Sequence, residues 1–114
     1  MKPKQHEIWI ADLNPTRGSE PGKVRLVIIV QTDLLNKHHP SSVICPLTAN
    51  VQKDVEILRV HLKKGCCGLT EECDIMVDQT RAIDNKRLIK KLGIAPTDVI
   101  SILKENLKII LDLE

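Results

Sequence analysis

At 114 residues and 42% apolar, the chain is long enough for one domain with a modest core and too short for a two-domain enzyme. A formal net charge of +2 gives no bulk attraction to polyanions, so a nucleic-acid partner would have to be met by a local cluster. Trp9 is the sole aromatic residue, which excludes an aromatic base-stacking platform and leaves hydrogen bonds, phosphate contacts and Arg stacking for any RNA.

In chain order, Met1 to His6 is charged and lacks the apolar core of a leader peptide, and no apolar run reaches membrane-spanning length; a cytosolic location and no membrane are expected. Ile8, Trp9, Ile10 and Leu13 predict a first strand over Ile8–Leu13. A stretch rich in turn formers follows, with Asn14, Pro15, Gly18, Ser19, Pro21 and Gly22. Proline presets φ and glycine permits positive φ, so a long, shaped loop is expected rather than a tight hairpin turn. Val24–Val30, apolar throughout except for Arg25 and rich in β-branched residues, reads as a central strand buried on both faces. Asp33 is expected to cap a short helical turn through Leu34, Leu35 and Asn36.

A loop through His38, His39 and Pro40 leads into S-S-V-I-C-P-L-T, Ser41 to Thr48, a third strand in which Pro46 implies an edge or a bulge. Val51 to Asp54 is polar linker. Val55 to Leu62 alternates with a slip in phase, which a bulge near Ile57 would explain. Lys63, Lys64 and Gly65 form a turn, and Cys73–Val77 and Thr80–Ile83 read as the last strands. Pro96, Thr97 and Asp98 open a helix. Its stripe of Val99, Leu103, Leu107 and Ile110, with Ile102 and Leu113 beside them, is suited to packing on the sheet. The fold class is therefore mostly β (α+β): a small, mostly antiparallel barrel or curled sheet with one C-terminal helix, forming a single domain over 1–114.

Four cysteines (Cys45, Cys66, Cys67, Cys73) contain no C-x-x-C, so they are expected to be thiols, with no metal and no cofactor; zinc binding with His61 is disfavoured. The polar groups that could carry chemistry cluster at the loop. Arg25 stands directly after it and before the rest of the apolar run, and a cation at the lip of a buried strand suggests an anion site. The alternative is an ordinary strand-end cation paired with Asp12 or Glu20. Thr48 ends the third strand; its hydroxyl could bond a phosphate oxygen or simply a neighbouring backbone group. Ribonucleolysis needs proton removal from a 2′-hydroxyl, neutralisation of charge at phosphorus and stabilisation of the leaving oxygen. No motif places His6, His38, His39 or His61 for such work. An arginine can neutralise phosphate through its fork of donors, but it keeps its proton and is a poor shuttle.

The run E-I-W-I-A-D-L-N-P-T-R-G-S-E-P-G-K-V-R resembles the N-terminal signature of the MazF/PemK (Kid) family of toxin ribonucleases, as do C-P-L-T at Cys45 to Thr48 and D-I-M-V-D-Q-T-R-A-I-D at Asp74 to Asp84, followed by Arg87 and Leu88. The resemblance implies an SH3-like barrel, as in the MazF and CcdB toxins. It implies the toxin component of a type II toxin–antitoxin system, an endoribonuclease that cleaves single-stranded RNA, mainly mRNA, at short sequences without metal and stops translation and growth. By the same resemblance the protein is a homodimer, neutralised by an antitoxin with an acidic, partly disordered tail. Arg25 and Thr48 match the catalytic pair, and Ser19, Glu20 and Gln79 match positions that read RNA. Arg17 and Arg81 join them as RNA-binding candidates, with a structural ion pair to Asp78 as an equal alternative for Arg81. Two residues depart from the family pattern: Leu26 where proline usually follows the arginine, and Cys73 where serine is usual. The rival readings are a CcdB-like toxin that binds gyrase without catalysis, and a catalytically degenerate interaction protein.

Overall fold

The computed structural model describes residues 2–14 and 23–113. In chain order these form β1 (Glu7–Asp12), β2 (Val24–Ile29), the single-turn helix α1 (Asp33–Asn36), β3 (Ser41–Thr48), β4 (Arg59–Leu62), β5 (Cys73–Met76), β6 (Arg81–Asp84), β7 (Leu88–Ile94) and the helix α2 (Thr97–Ile110). All pairings are antiparallel, in the order β4-β5-β3-β2-β1-β7, with β6 added beside β3. The sheet is an open barrel: β4 and β7 end the row, and no ladder joins them among the described residues.

β2 is central because both of its faces are covered. Ile28 joins Ile8, Cys45, Leu47 and the helix residues Val99 and Leu103 in one core cluster. Val27 and Ile29 join Trp9, Ala11, Leu13, Ile44, Ile83 and Leu88 in a second. Alternate residues of one strand thus feed two cores, as period-two side-chain direction requires. β3 is also interior, and the edge or bulge expected at Pro46 is not what the structure has. β6 pairs Ser41–Ile44 and β5 pairs Leu47 and Thr48, so Pro46 falls where the ladders change partner and its missing N–H removes no bond on that side.

Four other expectations are corrected. The α1 cap is Thr32, whose hydroxyl accepts from the Leu34 N–H at 3.3 Å; Asp33 lies inside the turn. The segment before Arg59 is not strand: Glu56 O accepts from Asn106 Nδ2 at 3.0 Å and Leu58 O from the Val77 N–H at 2.9 Å, so its carbonyls serve a helix side chain and a neighbouring turn. β7 is a strand that the pattern concealed, because its residues Ile89, Lys90 and Lys91 are exposed on an edge and break the apolar alternation. In α2, Val99 and Leu103 are buried, Ile100, Leu107 and Ile110 pack against the core, but Ile102 and Leu113 are more than half exposed.

One buried charge is resolved within the fold. Glu7 of β1 is 3% exposed and bonds Lys91 Nζ at 2.8 Å, Trp9 Nε1 at 3.1 Å and the Lys4 N–H at 2.7 Å. Burial acts to raise its pKa, but these donors outweigh burial and hold the carboxyl below the usual carboxylate range.

Candidate functional site

The neck of the β1–β2 loop is tightly made. Leu13 N–H donates to Lys23 O at 2.9 Å, Lys23 N–H to Asn14 Oδ1 at 2.8 Å, and Asn14 N–H to Asp12 Oδ1 at 3.0 Å. Arg87, from the far end of the chain, donates Nη1 to Asp12 O at 3.1 Å and also to Asn14 O. Sequence reasoning gave Asn14 only the part of a turn former and Arg87 only a place in the family motif. The loop candidates Arg17, Ser19 and Glu20 lie outside the described residues.

Arg25 emerges beside this neck, opposite Ala11 in the β1–β2 ladder and half-exposed. Its Nη1 lies 3.4 Å from Leu47 O. It stands at the lip of a cavity of about 240 Å³ that Val24, Leu26, Leu47, Ala49, Leu69, Thr70, Glu71 and Cys73 also line. A guanidinium fork at the mouth of an open cavity suits an oxyanion such as phosphate. Both departures from the family pattern fall here. Leu26 is paired with Ile10, so the ladder fixes the backbone next to Arg25 without a proline. Cys73 is buried; burial, joined by the nearby Glu71, Asp74 and Glu72 carboxylates, pushes its thiol pKa up. A thiol held protonated is a poor nucleophile.

Thr48 ends β3, half-exposed, and its Oγ1 accepts from the Asn50 N–H at 3.1 Å. The β2–β3 ladder ends with Val27 opposite Pro46, two residues short of Arg25 on one strand and of Thr48 on the other. Thr48 does not line the Arg25 cavity, whereas its neighbours Leu47 and Ala49 do. Its hydroxyl hydrogen is not used in the Asn50 bond, so it can still donate.

In the ladders Thr48 stands opposite Asp74, and Asp74 opposite His61. Asp74, 1% exposed, accepts from the Gln52 N–H at 2.8 Å, with Arg59 Nη1 at 3.5 Å and His61 Nδ1 at 3.2 Å. His61 Nε2 lies 3.4 Å from Glu72 Oε2. His61 is therefore part of a charged cluster and not an incidental surface group. Its signal in the sequence was register: a histidine and an aspartate placed to meet across a β4–β5 pair.

Gln79 lies in the 3₁₀ turn Val77–Gln79, and Arg81 opens β6 opposite Ile44; both are half-exposed and neither lines the Arg25 cavity. The turn is anchored by Thr80, which donates to Val77 O at 2.7 Å and meets Cys45 Sγ at 3.1 Å. Burial drives the Cys45 thiol up to about 11 despite that hydroxyl. Cys66 and Cys67, expected as thiols, are joined to each other in a disulfide. Among the described residues no cluster of three or more His, Cys, Asp or Glu could hold a metal ion, and no helix is long and apolar enough to cross a membrane.

A family profile described as PemK-like, MazF-like toxin of type II toxin–antitoxin system matches residues 4–111. Among solved structures, MazF from Deinococcus radiodurans superposes with a TM-score of 0.85 at 21% identity, covering 99% of this chain and 99% of that one. The Mycobacterium tuberculosis toxin MazF-mt6 gives 0.79 at 22% identity, covering 95% and 98%. A MazE–MazF complex from Deinococcus radiodurans gives 0.80 at 21%, covering 100% and 99%. At such identities the structural likeness is one of fold.

Proposed function

Because the chain belongs to the PemK-like, MazF-like toxin family of type II toxin–antitoxin systems, we propose that it is a metal-independent endoribonuclease that cuts single-stranded messenger RNA at a short sequence in the cytoplasm. The observation that carries this reading is Arg25, whose backbone is fixed by β1 and whose guanidinium stands at the mouth of an open cavity. In the proposed reaction the RNA 2′-hydroxyl loses its proton to water as its oxygen attacks the adjacent phosphorus. The 5′-oxygen leaves with a proton taken from water, producing a 2′,3′-cyclic phosphate and a 5′-hydroxyl. Charge gathers on the equatorial oxygens, and Arg25 supplies donors where it develops. Thr48, at the end of β3, donates a hydrogen bond from its hydroxyl to the phosphate and orients it. Gln79 and Arg81, with Arg17, Ser19 and Glu20 of the loop, read splayed bases and backbone.

The partners follow from the same reading: a second copy in a homodimer and an antitoxin with an acidic tail. The solved MazE–MazF complex from Deinococcus radiodurans supports an antitoxin partner. A reading as an interaction protein without cleavage draws on one observation, that the Thr48 side chain stands off the Arg25 cavity. The two are separated by incubating purified protein with a long single-stranded RNA in EDTA and mapping ends by primer extension. Discrete cuts at one short sequence, lost in Arg25→Ala, are expected. Intact RNA with wild type and variant alike would sink the nuclease reading.

A further inference from the structure

The vicinal pair Cys66–Cys67 occupies a particular place in the open barrel. It follows β4, one end of the sheet, and lies against β7, the other end. A Cβ added at Gly93 would meet Cys67 O at 2.7 Å, and one added at Gly68 would meet Leu92 O at 2.8 Å, so backbone presses directly on backbone across the seam. The turn is closed by Cys66 N–H to Lys63 O at 3.1 Å, Leu69 N–H to Cys66 O at 2.8 Å and Gly65 N–H to Leu69 O at 3.0 Å. Gly65 and Gly68 have positive φ, and so does Cys67, at 49°. A side-chain-bearing residue holds that conformation only where its surroundings impose it.

The chain leaving this turn becomes the wall of the Arg25 cavity: Leu69, whose side chain is buried in the core, then Thr70, Glu71 and Cys73. We propose that Cys66–Cys67 is a thiol–disulfide exchange site that sets the order of this wall, with low-molecular-weight disulfides as its oxidants and dithiols as its reductants. A disulfide between adjacent residues closes a ring through a single peptide bond, so it constrains the turn itself and not a distant loop. Once the ring is opened to two thiols, Cys67 is released from its positive φ, and the wall from Leu69 to Cys73 loosens.

The exchange balances without any further reagent. One cysteine thiolate attacks the oxidant's disulfide sulfur and expels a thiolate, forming a mixed disulfide. The second cysteine thiolate attacks the protein sulfur of that bond and expels the other half. Two electrons pass to the oxidant, and the two cysteine protons end on the two released thiols; a dithiol reverses each step. Selectivity comes from access: Cys66 and Cys67 are half-buried, whereas Cys45 and Cys73 are buried with their thiols held protonated.

The coupling to RNA rests on the nuclease reading above; the exchange itself does not. Full-length protein equilibrated with oxidised glutathione or with dithiothreitol should differ in mass by two hydrogens. Amides of residues 65–73 should exchange faster in the reduced form, and KM for RNA should rise several-fold on reduction with kcat little changed. Cys66→Ser with Cys67→Ser should behave as the reduced protein in both conditions; where that variant does not fold, the wild type compared with itself carries the test. An unchanged mass, or a mass change with neither exchange nor KM altered, overturns the proposal. Should neither form cut RNA, the nuclease reading fails, and the mass and amide exchange still decide the site.

Discussion

Glu7 and Arg25 are charged residues of neighbouring strands put to opposite uses. Glu7 is enclosed and meets three donors inside the fold, so its charge is consumed by structure. Arg25 has its backbone in the β1–β2 ladder and its Nη1 3.4 Å from Leu47 O, and its head stands at the mouth of a cavity. Enclosure makes a charge matter for stability; placement at an open lip leaves it available for a ligand. Each can therefore be removed with a different loss.

The largest effect is expected at the open charge. Arg25→Ala should lower kcat for RNA cleavage by about 10²–10³-fold, the usual cost of removing a donor aimed at developing charge. Its melting temperature should stay near wild type, which calorimetry can check. Glu7→Ala should do the reverse, losing about 1–2 kcal/mol of unfolding free energy in denaturant titration, because the buried Trp9 Nε1 loses its acceptor while the exposed Lys91 turns to solvent. Cleavage per folded molecule should be unchanged. Glu7 also sets a pH signature. Its folded carboxyl lies below its unfolded value, so its stabilisation is complete above the ordinary carboxylate range and disappears as pH falls through the folded pKa. The stability gap between wild type and Glu7→Gln should narrow on acidification below about pH 4, whereas a gap that widens would reverse the assigned direction.

Smaller effects sharpen the comparison. Thr48→Ala should cost about tenfold in kcat, the worth of one hydrogen bond made in the transition state, with stability nearly constant. Arg87→Ala should cost about 1 kcal/mol, because its bonds to the loop-neck carbonyls are exposed. The same change should raise KM for RNA, since the loop that Arg87 anchors carries Arg17, Ser19 and Glu20. An Arg87 variant with altered kcat and normal KM would place Arg87 in the chemistry instead.

The strands that sequence patterning located were those whose side chains obey one environment throughout. β3 runs over Ser41 to Thr48 as read, and α2 begins where Pro96, Thr97 and Asp98 signal it. β7 escaped because an edge strand has too little buried face to impose a pattern, and Lys91 is there for Glu7. The site was legible in the same unequal way. Arg25 announces itself by interrupting an apolar strand beside a shaped loop, whereas His61 and Asp74 carry no local mark of their meeting.

The sequence by itself determined what depends on near neighbours: apolar periodicity, turns and an ordered set of family motifs. These specify a mostly β domain with one helix and put Arg25 and Thr48 at strand ends. Tertiary structure alone decided what depends on distant partners: the ion pair of Glu7 with Lys91, the clamp of Arg87 on the loop neck, the Asp74 cluster, and the turn of Cys66 and Cys67 set across the seam of an open barrel. Each joins residues far apart in sequence through the register and closure of the sheet, and those are fixed only when the two cores pack.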